Sequence, residues 1–537
     1  MAWEIYMTGN NAHRFGIHLL IALGFFAGGW SQSSAPFFPD DIRLTWSADP
    51  RTTQTISWRT GPDVGRGDIR FAAADRPFST IEAPPPEPLS TNIGTVHLFR
   101  LVLRDLKPGT LYRYQIGSGT RWSGELTFQT APEKPERFQF LVFGDSHEKQ
   151  PDYSVWKETV ESAYRQNPSA RFLMNVGDLI YSGKDFEQWR AWLTSCREVL
   201  SRIPQMPVIG DHEPRGVTSK DLWVRPEYFV KLFPVPPNGP QRFRGEVYSF
   251  DYGYAHFTVL NSSFHYEFRE PEARAAMIRE QVEWLDRDLA ATGQPWKIVV
   301  YHDATYNLAA DRSGTLTKEH FGPILDKHHV DIVFNGHDHA VARSFFLRGE
   351  EPVADAARGT IYFIAGRSGN NAKDSLGPKF WHSFFYDPQG KTCYLSVEVD
   401  QDRLAVQTRL QDGTRVDTLE INRRDPAIST PVVPFGPYQS ARFAAFGRLL
   451  TFGKPPRQTA SGDWLVDAEA LAVCLSGSYD PKSRIFLYDE GEIRLDLSGA
   501  TPDADPGMAS LAGLAKLGFY GRYLPSLNMV SVERWRD

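Results

Sequence analysis

Residues 172–181 read Phe172-Leu173-Met174-Asn175-Val176-Gly177-Asp178-Leu179-Ile180-Tyr181, an apolar run of strand length that breaks at a glycine and at once delivers an aspartate. The pattern recurs along the same segment. Phe138 to Phe143 leads into Gly144-Asp145-Ser146-His147, Pro207-Val208-Ile209 into Gly210-Asp211-His212-Glu213, Ile298 to Tyr301 into His302, and Ile332 to Asn335 into Gly336-His337-Asp338-His339. Such runs, alternating with helical stretches like 271–291, predict buried strands of an α/β layer. There the carboxyl ends of the strands form one crevice, so residues distant in sequence converge. Glycines before Asp145, Asp178, Asp211 and His337 suit a sharp exit from each strand. A single Gly-Asp after a strand is ordinarily just a turn. Five exits in this order, all ending in carboxylate or imidazole, predict a metal site. Oxygen and imidazole donors without thiolate suit iron, zinc or manganese better than copper(I) or an iron–sulfur cluster.

The rest of the chain frames that segment. Its 537 residues suggest three or four domains. With 41% hydrophobic and 23% charged residues it reads as globular, which excludes a multispan transporter. Lys+Arg of 59 against Asp+Glu of 65 gives a net charge of −6, with no basic patch for a nucleic acid. Cys196, Cys393 and Cys474 are far apart, which excludes a disulfide scaffold or a zinc knuckle.

Ahead of the catalytic segment, the apolar run Phe15 to Trp30 follows Arg14 and precedes small residues, the shape of a secretory signal over residues 1–35. An extracytoplasmic location, secreted or on the cell surface, is expected from it. Residues 36–132 read as short strands between Gly, Pro and Asp, including Ile42 to Trp46, Thr55 to Trp58, Ile69 to Phe71 and Tyr112 to Ile116. This is β-sandwich text. Leu106 to Tyr112 resembles the tyrosine corner of a fibronectin type III module, and Trp58 its core tryptophan. The stretch Ala131 to Glu136 reads as a linker into a catalytic domain spanning 137–422. A proline-rich break at 423–440 separates off residues 441–537, a small α+β unit that repeats itself. Val473 to Leu487 aligns with Leu517 to Ser531, sharing Gly477/Gly521, Tyr479/Tyr523 and Pro481/Pro525. Lacking ligand residues, this tail is expected to be dispensable for turnover.

Taken together, the sandwich, Gly-Asp-Leu-Ile-Tyr, Gly-Asp-His-Glu, the His302 strand end and Gly-His-Asp-His resemble the calcineurin-like metallophosphoesterases, and more narrowly the purple acid phosphatases. The resemblance implies a fibronectin-like sandwich followed by β-sheets flanked by helices. It also implies one metal held by Asp145, Asp178 and His339, and a second held by Asp178, Asp211, His302 and His337, with Asp178 bridging. Either His147 or Tyr181 completes the first set. Asp211 stands where the family has asparagine, adding negative charge to the second set. The implied chemistry is hydrolysis of small phosphate monoesters by metal-activated hydroxide, with iron, zinc or manganese. His212, or His320, would donate to the phosphoryl group or protonate the leaving oxygen. Alternatives kept open are a phosphodiesterase or nucleotidase of the same fold, or a surface-binding protein with a degenerate site. The tail resembles the stalk-like repeat related to the N-terminal domain of copper amine oxidases on bacterial surface proteins. That resemblance implies cell-wall attachment or self-association.

Overall fold

The computed structural model describes residues 39–149, 152–216, 225–264, 271–309, 312, 314–353, 359–373, 376–425 and, with breaks, 442–534. The signal-like segment and most of the proline-rich break therefore lie outside the described residues.

Two sheets carry the catalytic segment. One has five strands, in which Phe138–Phe143 lies between its parallel neighbour Ala170–Asn175 and antiparallel Cys393–Val399. The other has seven strands, with Ala255–Val259, Trp296–Val300, Ile332–Asn335 and Ile361–Ala365 running parallel in that order. Alternation along each strand explains the continuous apolar runs, because both faces are buried. Phe140, Val142, Phe172 and Met174 of the first sheet meet Ile298, Val300, Ile332 and Phe334 of the second in one core. Leu141, Phe143 and Leu173 point the other way, onto Trp156 and Val160 of the helix Ser154–Gln166 and Trp189 and Trp192 of the helix Phe186–Ser195. Val299, Tyr301 and Val333 likewise face Met277, Leu285 and Leu289 of Pro271–Ala291, the helix expected from its spacing. The result is a helix–sheet–sheet–helix sandwich. Pro207 to Ile209, expected as a strand, is instead an extended segment tied to its neighbour by Met206 N donating to Leu173 O and Val208 N to Asn175 O. Pro207, with Pro204 just ahead of it, and the short span leave it no regular ladder.

The N-terminal β-sandwich contains the expected strands as Asp40–Thr45, Gln54–Thr60, Asp68–Ala73 and Leu111–Ser118. Tyr112 makes the expected corner, its hydroxyl accepting from Lys107 N at 2.9 Å, and buried Trp58 stacks on Phe99. This sandwich is fused to the catalytic layers. Trp46 and Ala131 enter their core, buried Arg43 donates to Leu232 O at 2.6 Å, and Tyr114 donates to Ser201 O at 2.6 Å.

In the tail, Trp464–Asp467, Ala468–Cys474 and Ile485–Tyr488 recur as Met508–Ser510, Leu511–Ala515 and Met529–Arg534. The repeat is thus strand, helix and later strand in the same order. Gly477, Pro481 and Pro525 of the aligned pairs lie outside the described residues. The tail is docked. Ala444, Leu524 and Met529 share an apolar cluster with Phe321, Phe345 and Trp381, and Arg522 Nη2 meets buried Glu350 Oε2 at 2.8 Å. Among the described residues no helix is long and apolar enough to cross a membrane.

Candidate metal centre

Asp145, Asp178, His302, His337 and His339 all lie just beyond carboxyl ends of strands that end at Phe143, Asn175, Val300 and Asn335, and Asp211 ends the extended segment beside them. Two buried groups result: Asp145, His147, Asp178 and His339, and Asp178, Asp211, His302 and His337, each with ligand atoms within 4.8 Å of one another. Asp178 belongs to both. His302 Nε2 lies 3.3 Å from Asp178 Oδ2 and 3.3 Å from Asp211 Oδ1, and His337 Nδ1 lies 3.1 Å from Asp211 Oδ1. On the other side His339 Nε2 is 3.2 Å from Asp145 Oδ1, and His147 Nδ1 is 3.9 Å from Asp178 Oδ2.

The donor set fits cations. Buried His147 Nδ1, Asp178 Oδ2 and His339 Nε2 have no hydrogen-bond partner, although burying such atoms unpaired is costly. Each imidazole also gives its outer nitrogen to the protein, the arrangement that fixes ring and tautomer in metal sites. His302 Nδ1 donates to Val176 O at 2.8 Å, His339 Nδ1 donates to Asn371 O, and His337 Nε2 faces Asp303 Oδ1 at 3.7 Å. Burial works against the charged form of His147, and the charge of His212 adds to that, so its pKa falls well below the usual imidazole range. For His302 burial is outweighed by Asp178 and Asp211, which raise its pKa. For Asp211, too, burial is outweighed, here by hydrogen bonds from His302 and His337 that hold its carboxyl low.

Tyr181 lies beside the first group. Its ring lies under the Arg215 guanidinium at 4.7 Å and its centroid is 6.0 Å from that of His147. His212 packs between them, stacked on His147 at 4.3 Å, with Nδ1 donating to Tyr181 O at 2.6 Å. Its Nε2 is left 3.9 Å from Asp178 Oδ2, at the edge of the shared carboxylate. His320 ends the helix Thr315–His320 and belongs to neither group; its half-buried ring has its pKa lowered by burial.

Several supporting residues carried no role in the sequence reading. Glu213, inside the quoted Gly-Asp-His-Glu, accepts from the backbone N–H of Asp178, Leu179 and Gly210 at 3.0, 2.8 and 2.6 Å. It thereby pins two ligand turns together. Burial and the charge of Asp178 push its carboxyl up to about 8 against those three donors. Asp338, between the two tail-end histidines of its motif, accepts from Leu308 N and Arg312. Burial opposes its ionisation, and the Arg312 charge overrides that. Asn371 follows the apolar run Ile361–Ala365 and a glycine, the same signal that marked the ligands, but it offers neither carboxylate nor imidazole.

Two mixed sheets with a shared-carboxylate double cluster at the carboxyl ends of their parallel strands form the type of site that dimetal hydrolases use. Residues 138–341 match the family model of the calcineurin-like phosphoesterases, and residues 39–130 that of the purple acid phosphatase N-terminal domain. The chain thus carries a purple acid phosphatase N-terminal domain followed by a calcineurin-like phosphoesterase domain. Among relatives, it is 22% identical over 402 residues to the Arabidopsis thaliana protein named probable inactive purple acid phosphatase 27, covering 65% of this chain and 63% of that one. The chain thus spans less than two thirds of that relative's length. It is 23% identical to the Fe(3+)-Zn(2+) purple acid phosphatase 12 of the same plant, over 71% of this chain and 83% of that one. In fold it is similar to the purple acid phosphatase PPD1 from yellow lupin (Lupinus luteus) seeds, with a TM-score of 0.61 at 19% identity over 75% of this chain and 78% of that chain.

Proposed function

We propose that the protein is a secreted phosphoesterase that hydrolyses small phosphate monoesters at a centre of two metal ions, iron, zinc or manganese. The observation that carries this reading is buried Asp178, whose carboxylate belongs to both donor groups while its Oδ2 has no hydrogen-bond partner. Asp145, His147, Asp178 and His339 would hold one ion, and Asp178, Asp211, His302 and His337 the other. When bound, two such cations generate a nucleophile from water near neutral pH and neutralise charge on the phosphoryl oxygens.

The chain's own residues do the rest. Glu213 keeps the Asp178 and Gly210 turns in register, and Asp303 orients His337. His212, with Nδ1 committed to Tyr181 O, offers Nε2 beside the shared carboxylate to a phosphoryl oxygen or leaving group. Asp211 argues against a degenerate site. Its carboxylate lies against His302 and His337, so it supplies the oxygen the second group needs and adds charge. The relative named inactive is the reason to test this directly. Purified full-length protein is expected to release phosphate from a generic monoester such as p-nitrophenyl phosphate. Activity should fall at least tenfold after chelation and return on adding metal. Absence of release with any of the three metals would contradict the reading.

A further inference from the structure

One residue holds the outer nitrogens of both imidazoles in the first donor group. The backbone carbonyl of Asn371 accepts from His339 Nδ1, and its side-chain Nδ2 lies 2.5 Å from His147 Nε2, a position the amide oxygen takes when the amide is turned over. Asn371 ends a turn that leaves the strand Ile361–Ala365 and wraps the exit that carries Asp145 and His147. Ser368 donates to Gly144 O from its N and its Oγ at 2.8 and 2.6 Å, and Gly369 N donates to Asp145 O at 3.1 Å. Contact is so close that a Cβ on Gly369 would lie 2.4 Å from Ser146 O and 2.7 Å from His147 O. Arg367 Nη1 braces the same turn through Gly369 O at 2.8 Å. The second group is held by other partners, Val176 O for His302 and Asp303 for His337.

We infer that Asn371 is the positioning residue of the first metal group, and that it makes His147 rather than Tyr181 the fourth ligand there. The inference rests on the dimetal reading above. An imidazole that presents Nδ1 to a cation carries its proton on Nε2, so its outer partner must accept. Rotation about the Cβ–Cγ bond lets the Asn371 amide present its oxygen to that proton from the same place. Tyr181 has no such tie, and its ring is stacked under Arg215 instead.

The test is a calorimetric titration of chelator-stripped full-length protein with zinc alone. Wild type is expected to bind two ions per chain. In Asn371→Ala the carbonyl to His339 remains and only the link to His147 is lost, so one affinity should fall roughly 10- to 100-fold, the scale for losing an outer-shell partner, with the other unchanged. Asn371→Asp, which keeps an acceptor for Nε2–H, should restore it. Asp303→Asn should weaken the opposite site. Ferric-loaded wild type should show no tyrosinate charge-transfer band in the visible. Two unchanged affinities in Asn371→Ala, an Asn371→Asp variant no tighter than the alanine form, or a purple colour lost in Tyr181→Phe would overturn the assignment while leaving two metals in place. Wild type that takes up no zinc would overturn the dimetal reading and this assignment together. Asn371→Ser gives the same contrast should the alanine form not fold.

Discussion

His212 meets the shared carboxylate twice, by its backbone and by its ring. Its N donates to Asp178 Oδ1 at 3.0 Å, while its Nε2 faces Asp178 Oδ2 at 3.9 Å. Removing the ring leaves the backbone donor in place, so metal content and function separate at this residue. His212→Ala is expected to keep both metals and to lose roughly 100-fold or more in turnover, the scale of a positioned acid, as read by metal analysis beside steady-state kinetics. Loss of a metal would make the ring a ligand instead. At this scale the sequence was legible where a motif fixes chemistry by residue type: strand exits marked the candidate ligands, and the family resemblance sorted them into two sets. What it left open is His147 against Tyr181; their neighbours Asn371 and Arg215 approach from other parts of the chain and have no signature in spacing.

Strand exits show how elements impose geometry on those residues. Of the four glycines before the ligands, which suit a sharp exit, only Gly177 has positive φ, at 93°. The ligands themselves take it: Asp145, Asp178, His337 and His339 have φ of 38°, 55°, 74° and 57°. Such conformations are uncommon for residues with side chains and persist where the surroundings enforce them. Gly210 serves close approach instead, since a Cβ there would lie 2.2 Å from Asp178 Oδ1. Sequence shows that a turn is needed but not which residue bears the strain. Another buried charge stabilises an edge of the seven-stranded sheet. His256 on Ala255–Val259 bridges Asp251 at 2.6 Å and Asp288 of the long helix at 2.9 Å. Burial opposes its charge, but hydrogen bonds to the two carboxylates outweigh it and hold its pKa at about 9. The folded value exceeds the unfolded one of about 6.5, so the contribution is full below pH ~6.5 and fades as pH rises through 9. His256→Gln should therefore cost about 2 kcal/mol at pH 6 in urea melts, with the deficit narrowing toward pH 9–10. A deficit constant across that range would refute the charged bridge.

At the scale of the whole molecule, neither flanking unit hangs on a linker. Local composition marked their boundaries because proline and glycine report chain breaks, but it could not show that Trp46 enters the catalytic core or that Arg522 reaches Glu350. These contacts form between segments more than a hundred residues apart. Glu350 is 3% exposed and lies between Arg522 at 2.8 Å and Lys318 at 3.5 Å, so deleting the tail removes one partner of a buried carboxylate and uncovers the apolar cluster around Trp381. Truncation at residue 438, expected from sequence to leave turnover intact, should lower the thermal midpoint by roughly 5–10 °C, at about 2–4 °C per kcal/mol lost. An unchanged midpoint in scanning fluorimetry would show the docking to be energetically idle.

The centre itself is the claim on which the rest depends, and Asp178 is the only residue common to both groups. Metal per chain and turnover measured together on wild type and Asp178→Asn test it most directly. The account predicts two ions per chain and chelator-sensitive phosphate release in wild type, with a folded Asp178→Asn variant that binds fewer ions and has lost at least 100-fold in turnover. Near-wild-type turnover at full metal content in that variant would contradict it.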